Sequence, residues 1–168
     1  MHKFHLILPD IRSCHNVGAM FRTADAFGVD MIYLVGYTPA PPKVQIDKVS
    51  LGAEKWVPFK QVKDLKILVK GLKKAGVQII ALEKSEESID IAKCKFKKPV
   101  ALIVGNEVDG IEGKILELCD SVVHVPMYGR KESLNVSVAA GIAMYMMCEN
   151  TNITKGTKKV HNCIKKIC

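Results

Sequence analysis

Five short apolar runs punctuate this chain: KFHLIL (3–8), MIYLV (31–35), VQIIAL (77–82), PVALIV (99–104) and VVHV (122–125). They are continuous rather than alternating, the pattern of strands covered on both faces of a sheet. Longer amphipathic stretches separate them. In NVGAMFRTADAF (16–27), Val17, Met20, Phe21 and Ala24 share one helical face with Gly28, which also supplies a stop. Helices are likewise predicted at 61–75, closed by Gly76, at 112–119 and at 134–148. Residues 56–59 read as a short strand, and the acidic stretch 85–93 fits neither period. Strands separated by helices predict an α/β fold, a mainly parallel sheet with helices on both faces.

Composition narrows the class. Apolar residues make up 48% of the chain and charged residues 25%, which excludes a disordered or collagen-like chain. No apolar run reaches the roughly 18 residues of a membrane span. The stretch in MHKFHLILPD is too short for a secretory signal, so a cytoplasmic protein is expected. The six cysteines form no CxxC pair and the five histidines do not cluster. Reduced thiols are therefore expected, with neither a disulfide framework nor a metal site. A domain over 1–150 and a basic tail over 151–168 are predicted. The net charge is +8, and residues 155–168 hold five lysines and no acid, leaving +3 on residues 1–154. Such a tail suits a polyanion as well as it suits a solvated terminus.

In an open parallel sheet, ligands bind beyond the carboxyl ends of the strands. Four such ends are polar or glycine-bearing here: PDIRSCHN (9–16), the end of VQIIALE (77–83), GNEVDG (105–110) and VPMYGRKESLN (125–135). No GxGxxG follows the first strand, and GxxxxGK[ST], HExxH and GxSxG are absent. This disfavours dinucleotide-binding enzymes, P-loop nucleotidases, zinc proteases and serine hydrolases.

Three segments, NVGAMFRTADAFGV (16–29), ALIVGNEVDGI (101–111) and VPMYGRKESLNVSVAAGIAMY (125–145), occur in an order and spacing that resembles one family. This is the SpoU/TrmH-type branch of the SPOUT superfamily, S-adenosylmethionine-dependent RNA 2′-O-ribose methyltransferases. The resemblance covers nearly all of 3–148. It implies a SPOUT-type fold with a C-terminal trefoil knot, a threading that periodicity alone does not suggest. It also implies a homodimer with the active site near the subunit interface, and S-adenosylmethionine as cofactor. Ribosomal or transfer RNA is the implied partner, and neither metal nor membrane is. A non-catalytic RNA-binding module retaining the fold is the alternative.

Each site residue implied by the resemblance has a plainer structural reading beside it. Asn16 is a helix N-cap or a contact to RNA near the reacting ribose. Arg22 is an i,i+3 partner of Asp25 or the catalytic arginine. A guanidinium keeps its proton and offers a planar fork of donors, so it suits gripping a phosphate or stabilising a forming alkoxide. Glu107 is a solvated loop acid or a carboxylate that orients Arg22 or Asn135. Ser133 is the N-cap of the last helix or, with Asn135, part of the catalytic set. The resemblance assigns the cofactor to Leu82, Gly105, Val125, Met127, Ser133 and Leu134, largely through backbone groups. Arg130 and Lys131, with Asn16 and Arg22, are the candidate RNA contacts. The last helix is apolar almost all round, which predicts burial on more than one side, with a second subunit as partner. Its methionines, 144–147, are expected in the core.

Overall fold

The computed structural model describes residues 4–97 and 99–150. The predicted basic tail lies outside them. The chain runs β1 (Phe4–Pro9), α1 (Cys14–Ala26), β2 (Met31–Val35), α2 (Val44–Ser50), β3 (Phe59–Val62), α3 (Leu65–Lys74), β4 (Gln78–Leu82) and β5 (Ile89–Asp90). It continues with β6 (Val100–Val104), α4 (Gly113–Leu116), β7 (Ser121–His124) and α5 (Val136–Asn150), and short 3₁₀ turns occupy Ala53–Lys55 and Ile91–Lys93. The seven strands form one sheet in the order β3-β2-β1-β6-β4-β7-β5. Every pairing is parallel.

The apolar runs explain why helices cover both faces. Successive side chains of a strand point to opposite sides. In β1, Phe4, Leu6 and Leu8 enter one core cluster with Val17, Met20, Phe21 and Ala24 of α1 and Ala140, Ala143, Met144 and Met147 of α5. Ile7 enters a second cluster, with Val69 of α3 and Ile115 of α4. β6 divides likewise, Val100, Leu102 and Val104 to the first side and Ala101 and Ile103 to the second. Each fully buried Leu, Ile or Phe contributes about 1.5–3 kcal/mol. The runs are therefore largely apolar because both sides of the sheet are core, with His5 in β1, Gln78 in β4 and Ser121 and His124 in β7 as the polar exceptions.

Several elements differ from the sequence reading. The predicted strand at 56–59 forms three residues later, at Phe59–Val62. α3 starts at Leu65, not at 61, because the Asp64 side chain accepts the Ile67 amide at 2.8 Å and caps the helix. The ambiguous stretch 85–93 holds the two-residue strand β5 and a 3₁₀ turn. α4 has only four residues. α2 was not predicted at all. It packs across α1 at Gly18, where a Cβ would lie 2.7 Å from the Ile46 carbonyl oxygen. The last helix begins at Val136 rather than at 134; of the methionines expected in the core, Met144 and Met147 are buried and Met146 is half-buried.

Because all strands run the same way, their carboxyl ends open at one rim. The segments following β1, β2, β4, β6 and β7 meet there, and hydrogen bonds tie them together. Tyr37 N–H donates to Asp10 Oδ1 at 3.1 Å, and Ile11 N–H donates to Thr38 Oγ1 at 3.0 Å. The Thr38 hydroxyl donates in turn to the Leu8 carbonyl at 2.7 Å.

Candidate active site

The rim carries a chain of side-chain amides whose direction the backbone dictates. Asn135 immediately precedes α5, and its Oδ1 accepts the Ser137 amide at 2.9 Å and the Ser137 hydroxyl at 2.6 Å. This fixes the Asn135 amide with Nδ2 outward, where it donates to Asn16 Oδ1 at 3.1 Å. Asn16 Nδ2 must then face the other way, and it donates to Glu107 Oε1 at 2.8 Å. The second oxygen, Oε2, accepts the Arg12 backbone N–H at 3.2 Å. One directed relay thus runs from the first turn of α5, across α1, to the loop after β6. Burial alone would raise the Glu107 carboxyl. The donors from Asn16, from its own amide and from the amides of Arg12 and Ser13 outweigh it and hold the group below the usual carboxylate range.

Two capping assignments change. Ser13, not Asn16, caps α1: its Oγ accepts the Asn16 amide at 3.3 Å. Asn16 sits inside the first turn, and this leaves its side chain for the relay. Ser133 does not cap α5, because Asn135 accepts the amide of that helix's first turn. Ser133 stays in the exposed loop before it.

Beside the relay lies a cavity of about 550 Å³, within the range of small-molecule sites. Leu82, Gly105, Val125, Met127, Ser133 and Leu134, the six positions assigned to the cofactor, all line it. Its lining is mixed: Val104, Val136 and Ala139 add to the aliphatic part, and polar groups enter from the loops and from His124 at the end of β7. A flat purine with a polar ribose and a charged tail fits such a lining. Gly105 has a structural reason beyond ligand approach. A Cβ there would lie 2.8 Å from Glu83 Oε2, and one on Gly110, whose φ is +67°, would lie 2.5 Å from it.

Sequence reasoning missed Glu83, Arg12, Tyr37 and Asn106. Asn106 Oδ1 accepts the Val108 and Asp109 amides at 2.7 and 3.0 Å, so its Nδ2 faces the Tyr37 hydroxyl and donates to it at 3.0 Å. Arg12 Nε approaches the same hydroxyl at 3.5 Å, and an Arg12 terminal nitrogen lies 3.9 Å from Asp109. The available signal was position alone: all four follow strand ends.

Arg22 stands apart. Six residues after Asn16, it is turned about 240° around the helix and lies about 9 Å further along it. It is exposed, and among the described residues it forms no ion pair. The predicted pairing with Asp25 is absent, since Asp25 Oδ1 accepts the Trp56 indole N–H at 2.8 Å. Arg130 and Lys131 are exposed in the loop before α5. Among the described residues, no helix is long and apolar enough to cross a membrane.

The sequence profile of the SpoU rRNA Methylase family matches residues 3–145. A tRNA (guanosine(18)-2′-O)-methyltransferase of Aquifex aeolicus is 38% identical over 137 residues, covering 81% of this chain and 64% of that protein. A 23S rRNA (guanosine-2′-O-)-methyltransferase of Neisseria meningitidis is 40% identical over 139 residues, covering 83% of this chain and 55% of that protein. The crystal structure of an AdoMet-bound rRNA methyltransferase from Sinorhizobium meliloti has the same fold, with a TM-score of 0.83 at 28% identity over 89% of this chain and 57% of that one. The chain thus spans between half and two-thirds of the length of these relatives. With a profile match across most of its length and identities of this size, the protein belongs to the SpoU rRNA Methylase family.

Proposed function

We propose that this chain transfers the methyl group of S-adenosylmethionine to a ribose 2′-oxygen of ribosomal or transfer RNA. The observation that carries the proposal is the Asn135–Asn16–Glu107 relay at the mouth of a cavity with one aliphatic and one polar set of walls. Relatives that act on tRNA and 23S rRNA support the substrate class. The sulfonium donor supplies an activated methyl group, so the protein's task is alignment and charge stabilisation. Leu82, Val125, Met127 and Leu134 pack on the adenine, while Gly105 and Ser133 bring backbone and hydroxyl groups to the polar parts. Asn16 and Asn135 orient the target ribose, with Glu107 fixing the Asn16 amide.

Arg22 grips a phosphate next to the target ribose and stabilises charge on the attacking 2′-oxygen. Its place on α1, turned away from the relay of its own chain, suits action on the cavity of a second copy. A homodimer would supply that geometry. The outer face of α5 offers the surface, since Val138, Ile142 and Tyr145 are 50%, 37% and 50% exposed and adjoin Ala19 and Phe27. Contiguous apolar surface of this kind marks an interaction site. The knotted C-terminal segment and the cytoplasmic location belong to the same reading. Arg130, Lys131 and the lysines of the tail, appended to a 1–150 methyltransferase domain, supply the sequence-independent phosphate contacts.

The test is to measure donor affinity by calorimetry, and methyl transfer to RNA from cells lacking the protein, with the modified nucleotide mapped by mass spectrometry. The wild type is expected to bind the donor and to modify a ribose. Arg22→Ala is expected to lower transfer by about 100-fold or more with donor affinity unchanged. Donor binding without transfer to any RNA would favour the non-catalytic module.

A further inference from the structure

We propose that Glu83 is the ribose-hydroxyl acceptor for the adenosyl half of the methyl donor, a contact that rests on the reading of the cavity given above. Glu83 follows β4 directly, next to Leu82, and lines the cavity together with Gly105 and Gly110. Its carboxylate is held by two backbone donors. Oε1 accepts the Lys84 amide at 3.0 Å, and Oε2 accepts the Ile111 amide at 2.9 Å. Oε2 also rests against the faces of Gly105 and Gly110, the space that a side chain on either would fill. The carboxylate is thereby fixed between the end of β4 and the loop after β6, before any ligand arrives.

A carboxylate has about four acceptor sites, and the two amides use one on each oxygen. Both oxygens can therefore still accept, side by side, which matches the two donors of a vicinal diol. A fixed acidic side chain beyond a parallel strand is a recurrent means of holding a ribose. The other acids on the cavity wall are less suited. Glu107 takes donors from Asn16, from its own amide and from the amides of Arg12 and Ser13, which use all four of its acceptor sites, and Glu132 is exposed in the loop before α5. Pre-positioned acceptors also lose little entropy on binding, so the contact gains affinity from its rigidity. The carboxylate has a second job as a strut, because the Ile111 amide it accepts belongs to the loop that carries Glu107.

Calorimetry with 5′-methylthioadenosine and its 2′-deoxy and 3′-deoxy counterparts separates the two jobs. These ligands lack both the sulfonium and the amino acid, so attraction between Glu83 and a cationic tail does not enter. The wild type is expected to bind at least one deoxy ligand about ten- to a hundredfold more weakly than the ribose ligand, as for a hydrogen bond to a charged acceptor. In Glu83→Gln that gap is expected to shrink, because a neutral amide keeps only one acceptor oxygen. Glu83→Asp, which keeps the charge but withdraws it by one methylene, serves the same comparison if the amide variant does not melt cooperatively. Equal wild-type affinity for ribose and deoxy ligands overturns the proposal. So does a variant that weakens all the ligands alike and leaves the gap intact, because Glu83 is then only a strut. Wild-type protein that binds no adenosyl ligand overturns the methyl-donor reading itself, a result distinct from the other two.

Discussion

At the scale of single residues, the site depends on which way three amides point. The Ser137 backbone N–H can only donate, and this one fact propagates through Asn135 and Asn16 to Glu107. Burial is the largest single influence on the Glu107 carboxyl and raises it, and the Asn16 amide is the largest of the donors that oppose it. In Asn16→Ala, carbon-detected NMR titration is therefore expected to show the Glu107 midpoint moving up, toward or past the ordinary value. An unmoved midpoint breaks the relay. The sign for stability follows from the lowered native value. The stabilisation that the ionised Glu107 provides is fully present above the ordinary carboxylate range, and it is lost as pH falls through the lowered native midpoint. Asn16, Glu107 and Asn135 were all legible in the sequence as candidates. Their partners were not, because Asn16 and Glu107 lie 91 positions apart and Asn16 and Asn135 lie 119 apart. Glu83 was marked only as a polar strand end, without a role, for a different reason: a lone acid after a strand looks like any solvated loop residue until Gly105 and Gly110 are seen against it.

At the scale of elements, legibility followed the strength of the local pattern. β1, β2, β4 and β6 were read from their apolar runs, and α1 from its stripe, because a two-sided core leaves those runs nearly continuous. α2 left no such stripe. It has seven residues, and Ile46 is its only buried aliphatic side chain, so its place comes from contact with α1 rather than from amphipathicity. Two glycines test this account. Gly71, inside α3, has open space where a Cβ would sit. Gly71→Ala is expected to stabilise the protein by up to about 1 kcal/mol through helix propensity. At Gly18 the same change places a Cβ against the backbone of α2, a clash expected to cost about 1–3 kcal/mol. Urea denaturation of both variants should therefore move their midpoints in opposite directions. A rise in both would mean that the α1–α2 approach is looser than described.

For the whole molecule, the sheet order is what assembles a site. β6 lies between β1 and β4, with β7 on the far side of β4. That order places the loop carrying Glu107 next to the loop carrying Asn16 and brings the segment before α5 over both. If Arg22 serves the cavity of a second copy, two inactive variants should complement each other. Mixing Arg22→Ala with Asn135→Ala under conditions that exchange subunits is expected to restore part of the methyl transfer, because some mixed dimers hold one intact site. No recovery after confirmed exchange would return Arg22 to its own chain's site. The sequence by itself determined the alternation of strands and helices, the two-faced burial of the sheet and the residues of the three family segments. All of these are written in near neighbours, at spacings of two, three or four residues. The tertiary structure alone decided the strand order, the direction of the amide relay and the wedge of Glu83 against two glycines. These depend on which distant loops share one end of a parallel sheet, and local periodicity carries no information about that.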